Sequence, residues 1–305
     1  MKKKMYVIIM LLVCVCMGCS IYLTYRRSRG MLSDVYENDL RVKSGMISSV
    51  MSSSFIRPIA VSETMSKDVA MQKMLDFSRK TEAEAVENDA KEYLKSIRDG
   101  FGYYMVFAVN DATKAYFTYD GISRFMEPEK DELDMWYKTF MERDTNKQYV
   151  LDVDTDAVNN WALSVFVNTA VYDSDGNYIG ACGIGVDMSE LQRMLEHLER
   201  VYDVKIDLID KNGLIQVDTD AERIERDYIE IDDLNLYSDE ESYYEIGESG
   251  SRTISYIDDL GWYLVVTNKS SFSANVYSLL IPSIICTALC ILLIGGALYF
   301  GHKKD

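Results

Sequence analysis

The residues best suited to chemistry in this sequence are carboxylates and an amide on three predicted strands. Because strand side chains alternate between two faces, Asp152 and Asp154 share one face of the first of these strands. Phe166 and Asn168 share a face of the next strand with mostly small residues, and Asp187 ends the third. Polar groups placed in this way on adjacent strands could hold a small organic ligand.

Two glycines, Gly183 and Gly185, lie on the same face as Asp187. Glycine inside a strand weakens it unless another group approaches closely. One interpretation is a solvated polar face whose glycines accommodate a crossing helix, and the other is a ligand cavity beside a negative charge. The combination of small, amide and acidic positions favours the cavity.

Trp136 and Tyr137 follow Asp134 on a predicted helix, at helical spacing with Leu133 and Phe140. Such a stripe would suit a face that packs on the core. Aromatic rings beside carboxylates would equally suit an organic cation. These residues alone leave both interpretations open.

The acidic segments match no known metal loop. Asp152-x-Asp154-x-Asp156 resembles the start of a calcium loop, but alanine stands where that loop requires glycine. The only histidines, His197 and His302, lack zinc-ligand spacing. Since no phosphate loop, nucleophile elbow or HExxH motif occurs either, we expect no metal, no cofactor and no enzymatic activity.

The elements that would position these residues indicate an α+β fold with antiparallel sheets, because hairpin turns join the strands. Helices are predicted over 31–57, 65–77, 82–98, 131–141 and 189–201, with Pro58 interrupting the first pattern and Ser189 capping the last. A first sheet is predicted from strands at 103–110, 115–120, 148–154, 161–172 and 178–186. A smaller sheet is predicted from strands at 204–209, 214–217, 243–246, 253–257 and 262–267.

Apolar residues of the first exterior helix recur every three or four positions and could form one stripe. They are Leu32, Val35, Tyr36, Val42, Met46 and Val50. The stripe could pack on the core, or it could also pair with a second copy of the chain.

Two uncharged runs are long enough to cross a membrane as helices. Met5–Tyr25 has 21 residues, and the second predicted span, 274–300, contains the 25-residue run Val276–Phe300. The short ends are basic and the long loop is acidic, so we expect a two-pass plasma-membrane protein with both termini cytoplasmic. A cleaved signal peptide, or lipid attachment at Cys19, is the alternative for the first run.

The exterior segment is strongly acidic. Residues 1–30 carry six positive charges and residues 271–305 carry a net charge of +1. Because the net charge of the whole chain is −17, residues 31–270 carry a net charge of −24. This charge excludes nucleic acid as a partner. Only Cys182 of the six cysteines lies in this segment, so no disulfide within it is expected.

The order of elements resembles the double Cache sensor family of bacterial chemoreceptors, sensor kinases and diguanylate cyclases. Three segments carry the resemblance: WYKTF at Trp136–Phe140, VFVNTAVYDSDGNYIGACGIGVDMSEL at Val165–Leu191 and IDKNGLI at Ile209–Ile215. It covers roughly residues 31–270. It implies a long N-terminal helix and two PAS-like antiparallel-sheet modules, one membrane-distal and one membrane-proximal, between two transmembrane helices.

The resemblance also implies which residues touch a ligand. The distal module of this family binds small molecules, and Trp136, Tyr137 and Asp187 would line its pocket. The amino-acid-binding version has an arginine, gripping the ligand carboxylate, where this chain has Asp134. Without that bidentate partner, the resemblance suggests an amine or another cation held by the acid at Asp187.

We therefore expect a membrane-anchored extracytoplasmic sensor module for signal transduction, binding its ligand in the distal module. The predicted organisation is 1–4 cytoplasmic, 5–25 transmembrane, 26–80 stalk helices, 81–200 distal module, 201–270 proximal module, 274–300 transmembrane and 301–305 cytoplasmic tail. No output domain is expected after residue 300. The chain would therefore either act through a separate signalling partner or be a truncated receptor. We also expect it to pair as a homodimer. The alternative is a surface ligand-binding or adhesion protein without signalling. The candidate ligand-binding residues are Asp134, Trp136, Tyr137, Asp152, Asp154, Phe166, Asn168 and Asp187.

Overall fold

The computed structural model describes residues 2–143, 147–156, 162–230, 243–247, 250–269, 281–282 and 284–296. The chain begins with a single 66-residue helix, α1, at Lys2–Lys67. The interruption expected at Pro58 is wrong, because α1 continues through it. Proline costs a helix one backbone hydrogen bond, and here Phe55, Pro58 and Ile59 are all buried, so packing offsets that loss.

The side of α1 that packs on the core differs from the predicted stripe. Leu40, Ile47, Met51 and Phe55 are fully buried, at spacings of seven and four residues. Most of the predicted stripe faces solvent instead. Its exposed members are Val35, Val42, Met46 and Val50, with Val42 57% exposed. The core-facing interpretation is therefore wrong for these residues, since α1 has a second apolar face.

Two helices follow α1. Helix α2 spans Val69–Leu75, with Asp68 as its N-cap, and α3 spans Lys80–Phe101. Helix α3 ends at Gly102, whose φ of 78° is the left-handed conformation that glycine adopts readily at a helix C-terminus. Both helices bury apolar residues against the same face of the first sheet.

The first sheet has six antiparallel strands in the order β3-β2-β1-β6-β5-β4. The strands are β1 Met105–Asn110, β2 Ala115–Thr118, β3 Gly121–Phe125, β4 Tyr149–Asp156, β5 Ala162–Tyr172 and β6 Tyr178–Asp187. Helix α4, Met135–Met141, lies between β3 and β4 after a 3₁₀ turn at Glu132–Asp134. Strand β3 was not predicted, and the Trp161 end of the predicted β5 lies outside the described residues.

The two faces of this sheet are covered differently. One face packs on α1, α2, α3 and α5 through residues such as Val165, Val167 and Ile184. The other face carries the segment with α4, through an aromatic cluster that includes Phe107, Tyr137 and Phe140. This division confirms the predicted alternation along β5 and β6.

Helix α5, Met188–Tyr202, leads from the first sheet to the second. The second sheet has the order β8-β7-β11-β10-β9. Its strands are β7 Val204–Ile209, β8 Ile215–Val217, β9 Tyr243–Gly247, β10 Gly250–Ile257 and β11 Trp262–Asn268. Helix α1 packs on both sheets, and one continuous core joins it to them. The fold is therefore α+β with a long N-terminal helix and two antiparallel sheets.

No helix within the described residues combines the length and the apolar character needed to cross a membrane. The two predicted membrane helices are therefore not confirmed. Residues 284–296 are helical, and residues 270–280 and 297–305 lie outside the described part of the chain.

Candidate functional site

A cavity opens on the α4 side of the first sheet. The empty space between its walls is about 460 Å³, open solvent at the mouth included. The lining combines aromatic rings, two carboxylates, an amide and one guanidinium. The lining residues are Phe107, Tyr116, Arg124, Leu133, Trp136, Asp152, Asp154, Thr155, Phe166 and Asn168.

The carboxylates come from β4, where Asp152 lies opposite Phe166 and Asp154 opposite Ser164 on β5. Asp154 accepts a hydrogen bond of 2.6 Å from the backbone nitrogen of Thr155. Asp152 is half-buried and makes no hydrogen bond or salt bridge to any described residue. Burial raises the pKa of Asp152 to about 7, with further contributions from the negative charges of Asp154 and Glu225.

Asn168 supplies an unused hydrogen-bond acceptor. It is 2% exposed, and its Oδ1 is buried without a hydrogen-bond partner among the described residues. A buried polar atom without a partner costs about 1–3 kcal/mol, so structures rarely retain one without a reason. At this position a ligand N–H would satisfy it.

Aromatic rings form the walls. The Phe107 ring stacks on Tyr116 with centroids 5.4 Å apart, and it meets Trp136 and Phe166 edge-on at 5.7 and 6.1 Å. Trp136 and Phe166 are half-buried. The negative faces of such rings attract cations.

The predicted ligand residue Asp134 instead binds a protein side chain. It is 1% exposed, and its Oδ1 accepts hydrogen bonds of 2.8 Å from Nε and Nη2 of Arg124. Its Oδ2 accepts from the backbone nitrogen of Glu127 at 2.8 Å. Asp134 therefore lies behind the cavity wall and orients Arg124, whose guanidinium carbon lies 4.7 Å from the Tyr116 ring centre.

Tyr137 also lies behind the wall. It is 1% exposed; its hydroxyl donates to Asp111 Oδ1 at 2.9 Å and contacts the Tyr178 hydroxyl at 3.0 Å. Burial, with the neighbouring Tyr178 and Asp111, raises the pKa of the Tyr137 phenol. Its ring supports Trp136 edge-on at a centroid distance of 5.5 Å, so Tyr137 positions the tryptophan.

The space above the two glycines of β6 is filled by the protein itself. A Cβ on Gly183 would lie 2.5 Å from Phe107 Cε1 and Cζ, and one on Gly185 would lie 2.7 Å from the Tyr104 hydroxyl. The glycines therefore make room for the rings of β1 and its flank. The predicted empty volume beside Asp187 is absent because these rings occupy it.

Asp187 is the N-cap of α5, two residues before the predicted cap at Ser189. Its side chain accepts a hydrogen bond of 2.8 Å from the backbone nitrogen of Ser189 and does not line the cavity. Five of the eight candidate residues thus line the cavity, namely Trp136, Asp152, Asp154, Phe166 and Asn168. Asp134, Tyr137 and Asp187 do not.

Arg124 is the lining residue that sequence reasoning missed. It lies on β3, the strand that was not predicted, and pairs across to Tyr116 on β2. The pairing of an arginine with an aromatic residue at that register could have indicated Arg124, but only if β3 had been recognised as the strand after β2.

A second charged cluster lies in the second sheet and is closed. Asp218 is fully buried and accepts from both Lys205 and Arg223. Lys205 also contacts Glu199 at 3.0 Å, and Arg223 contacts Asp207 at 3.0 Å. Among the described residues these charges are therefore paired with each other.

The Cache domain family matches residues 31–275 of this chain. Solved structures with the same fold include the sensory domain of the Campylobacter jejuni chemoreceptor Tlp3, with 14% identity, 81% of this chain and 98% of that chain covered, and a TM-score of 0.55. The Tlp3 domain with L-valine gives 17% identity, coverage of 80% and 97%, and a TM-score of 0.52. The domain of the Pseudomonas aeruginosa amino acid chemoreceptor PctB with L-Gln gives 13%, coverage of 83% and 98%, and 0.53.

Proposed function

This chain belongs to the Cache domain family as a double Cache domain, and from that membership we propose that it is a sensor module for a small organic cation. The observation that carries the proposal is the cavity on the first sheet. There, among the described residues, Asp152 has no hydrogen-bond or salt-bridge partner and Asn168 Oδ1 has no hydrogen-bond partner, and both face a space walled by aromatic rings.

The charge balance of the cavity supports a cation. Asp152 and Asp154 bring two carboxylates, and the one guanidinium among the described lining residues, that of Arg124, already pairs with Asp134. A cation entering the cavity would gain two opposite charges and the faces of Trp136 and Phe166. An amine is therefore the ligand class that we favour.

Arg124 favours a second candidate, a ligand that carries an anionic group as well as an ammonium group. A carboxylate in the cavity would find the guanidinium on its lining. The related domains bind amino acids according to their descriptions, L-valine for Tlp3 and L-Gln for PctB. The two candidates differ only in whether a carboxylate adds affinity.

Membrane anchoring is part of the proposal and rests on the sequence. The uncharged runs Met5–Tyr25 and Val276–Phe300 would place residues 31–270 outside the cell, with both termini in the cytoplasm. Helix α1 continues from the first run into the first exterior helix without a break, so a movement of α1 would reach the membrane directly.

The second apolar face of α1 supports pairing with a second copy of the chain. Met31, Val35, Val42 and Met46 are each at least 50% exposed and lie opposite the buried face. An exposed apolar stripe of this kind is typical of an interaction site. If α1 pairs with α1 of a second copy, both cavities would be connected to the same helix pair. A separate signalling partner would respond to the conformation of that pair.

The test is ligand-induced stabilisation of the purified full chain. We expect primary amines or amino acids to raise its melting temperature, while dicarboxylates and purines leave it unchanged. Loss of this stabilisation in Asp152→Asn would locate binding in the cavity. If no compound of any class stabilises the protein, the sensor function is refuted. A binding or adhesion protein without signalling would bind the ligand equally well. In that case crosslinking between the α1 helices of two copies would be the same with and without ligand.

A further inference from the structure

We propose that the cavity binds a primary ammonium group in exchange for a proton on Asp152, so that ligand occupancy depends on external pH. This inference rests on the proposed function, since it concerns the same site. It adds which cations fit and what binding releases.

The acceptors in the cavity match the donors of a primary ammonium group. Asp152 and Asp154 are two residues apart on β4, roughly 7 Å along the strand. Asn168 lies on β5, diagonal to Asp152 and on the same face. A primary ammonium has three N–H donors, so it can donate to both Asp152 and Asn168, while Asp154 adds a second negative charge farther along β4.

A quaternary ammonium would suit the aromatic walls but has no N–H. It would leave Asn168 Oδ1 buried without a partner, at the cost of that unsatisfied acceptor. A metal ion also fits poorly, since the described residues contain no group of three or more His, Cys, Asp or Glu side chains placed to hold one. The geometry therefore selects for N–H donors.

Asp152 holds its proton first because its carboxyl is buried, and then because of the charges around it. Asp154 lies on its own strand, and Glu225 adds a negative charge from the segment between β8 and β9. On the opposite side are Tyr116 from β2 and Arg124 from β3, the latter already paired with Asp134. With no free cation facing it among the described residues, Asp152 shares its environment with like charges and holds its proton up to neutral pH.

A bound ammonium supplies the missing positive charge. The O–H bond of Asp152 then breaks, its proton leaves to solvent, and the carboxylate accepts an N–H from the ligand. The net charge of the cavity stays the same in this exchange, because one proton leaves and one monocation enters. By linkage, a ligand that favours the ionised carboxylate must bind more weakly as protons compete for it.

The experiment is isothermal titration of the full chain in detergent with three probes: butylamine, L-norvaline and butyltrimethylammonium. Each titration is repeated across pH 5.5 to 8.5, a range of about 1.5 units on each side of neutrality, in buffers of different protonation enthalpy. For butylamine or L-norvaline we expect Kd to rise up to about tenfold for each pH unit below 7, with close to one proton released per ligand near pH 6. Butyltrimethylammonium should bind at least about tenfold more weakly than butylamine.

Two variants sharpen the result. Asp152→Asn should abolish both the proton release and the pH dependence, whereas the matched control Asp175→Asn, on the exposed hairpin turn, should change neither. Asn168→Leu should weaken butylamine but not butyltrimethylammonium, because only the former uses the amide acceptor.

The outcomes separate the inference from the proposed function. Binding of a primary amine without proton release, or equal affinity for the quaternary probe, overturns the inference and leaves the sensor function standing. If only L-norvaline binds with proton release, the inference holds and the ligand carries a carboxylate. If none of the three probes binds, the inference is overturned, and the wider compound screen decides on the proposed function.

Discussion

Replacing Asp152 by asparagine should make the unliganded protein more stable at alkaline pH. The substitution keeps the size of the side chain and removes the charge that the cavity disfavours. Binding sites commonly hold groups that lower stability in the free state. Asp152 is such a group, because among the described residues nothing in the empty cavity pairs with its carboxylate.

The magnitude follows from the pKa. A pKa raised from 3.8 to about 7 corresponds to about 4 kcal/mol of destabilisation of the charged form. Water in the open cavity screens part of this, so we expect a gain of about 1–3 kcal/mol in the free energy of unfolding. In a domain of this size each kcal/mol raises Tm by about 2–4 °C.

The direction with pH is determined by which state binds the proton more tightly. The folded protein holds the proton of Asp152 up to about pH 7, whereas the unfolded chain releases it near 3.8. The destabilisation is therefore complete above about pH 7, shrinks as the pH falls from 7 towards 4, and is absent below that. Asparagine should then stabilise the protein at pH 8 and have little effect near pH 4.

The assay is thermal and urea unfolding of the wild type, Asp152→Asn and the exposed control Asp175→Asn at pH 8, 6 and 4.5, without ligand. A Tm difference that grows with pH for Asp152→Asn alone supports the reasoning. The same difference at all three pH values, or a loss of stability at pH 8, would refute it.

Three further variants test the structure around the cavity. Arg124→Met should destabilise the protein by about 3 kcal/mol, because it leaves the buried Asp134 carboxylate without its cation; adding Asp134→Leu should restore part of that loss in urea unfolding, and a double mutant as unstable as the single one would contradict the pairing. Asp187→Asn should leave stability and ligand binding nearly unchanged because asparagine caps helices as well as aspartate, whereas Asp187→Ala should cost about 1 kcal/mol in thermal unfolding; a loss of ligand binding in Asp187→Asn would return this residue to the site. Val42→Glu should shift the full chain towards the monomer in analytical ultracentrifugation, since Val42 is 57% exposed; a variant that keeps the mass of a dimeric wild type would exclude this face as the interface.

The sequence predicted the faces of β4, β5 and β6 because a period of two depends only on local geometry. It therefore brought Asp152, Asp154, Phe166 and Asn168 together correctly. It could not predict what fills the space above a glycine, since Phe107 reaches Gly183 from a strand 76 positions earlier in the chain. The sequence could not place Asp187 away from the cavity for a related reason, because a carboxylate at a strand end can serve a ligand or the next helix equally well.

The assignment of Asp134 shows how one missed strand changes a site. Without β3, Asp134 was predicted to contact the ligand, at the position where the amino-acid-binding version of the family has an arginine. The predicted cavity then had no guanidinium. With β3 in place, Arg124 reaches the lining and Asp134 becomes its counter-ion. The local charge of the site was thus decided by a hairpin whose outer strand carries weak sequence signals, beginning at a glycine with φ 115°.

Neighbouring residues of β5 face the cavity and helix α1, the helix proposed to transmit ligand binding. Asn168 faces the cavity from β5, while its neighbours Val167 and Thr169 face α1. There the Ser62 hydroxyl donates to the Val167 carbonyl at 3.2 Å and lies 2.6 Å from the Thr169 hydroxyl. The same helix contacts the second sheet where Ser44 and Ser255 lie 3.2 Å apart. A ligand that pulls on Asn168 therefore acts on a strand bonded directly to α1, and it can bias α1 only by as much as it prefers one position of that strand over another.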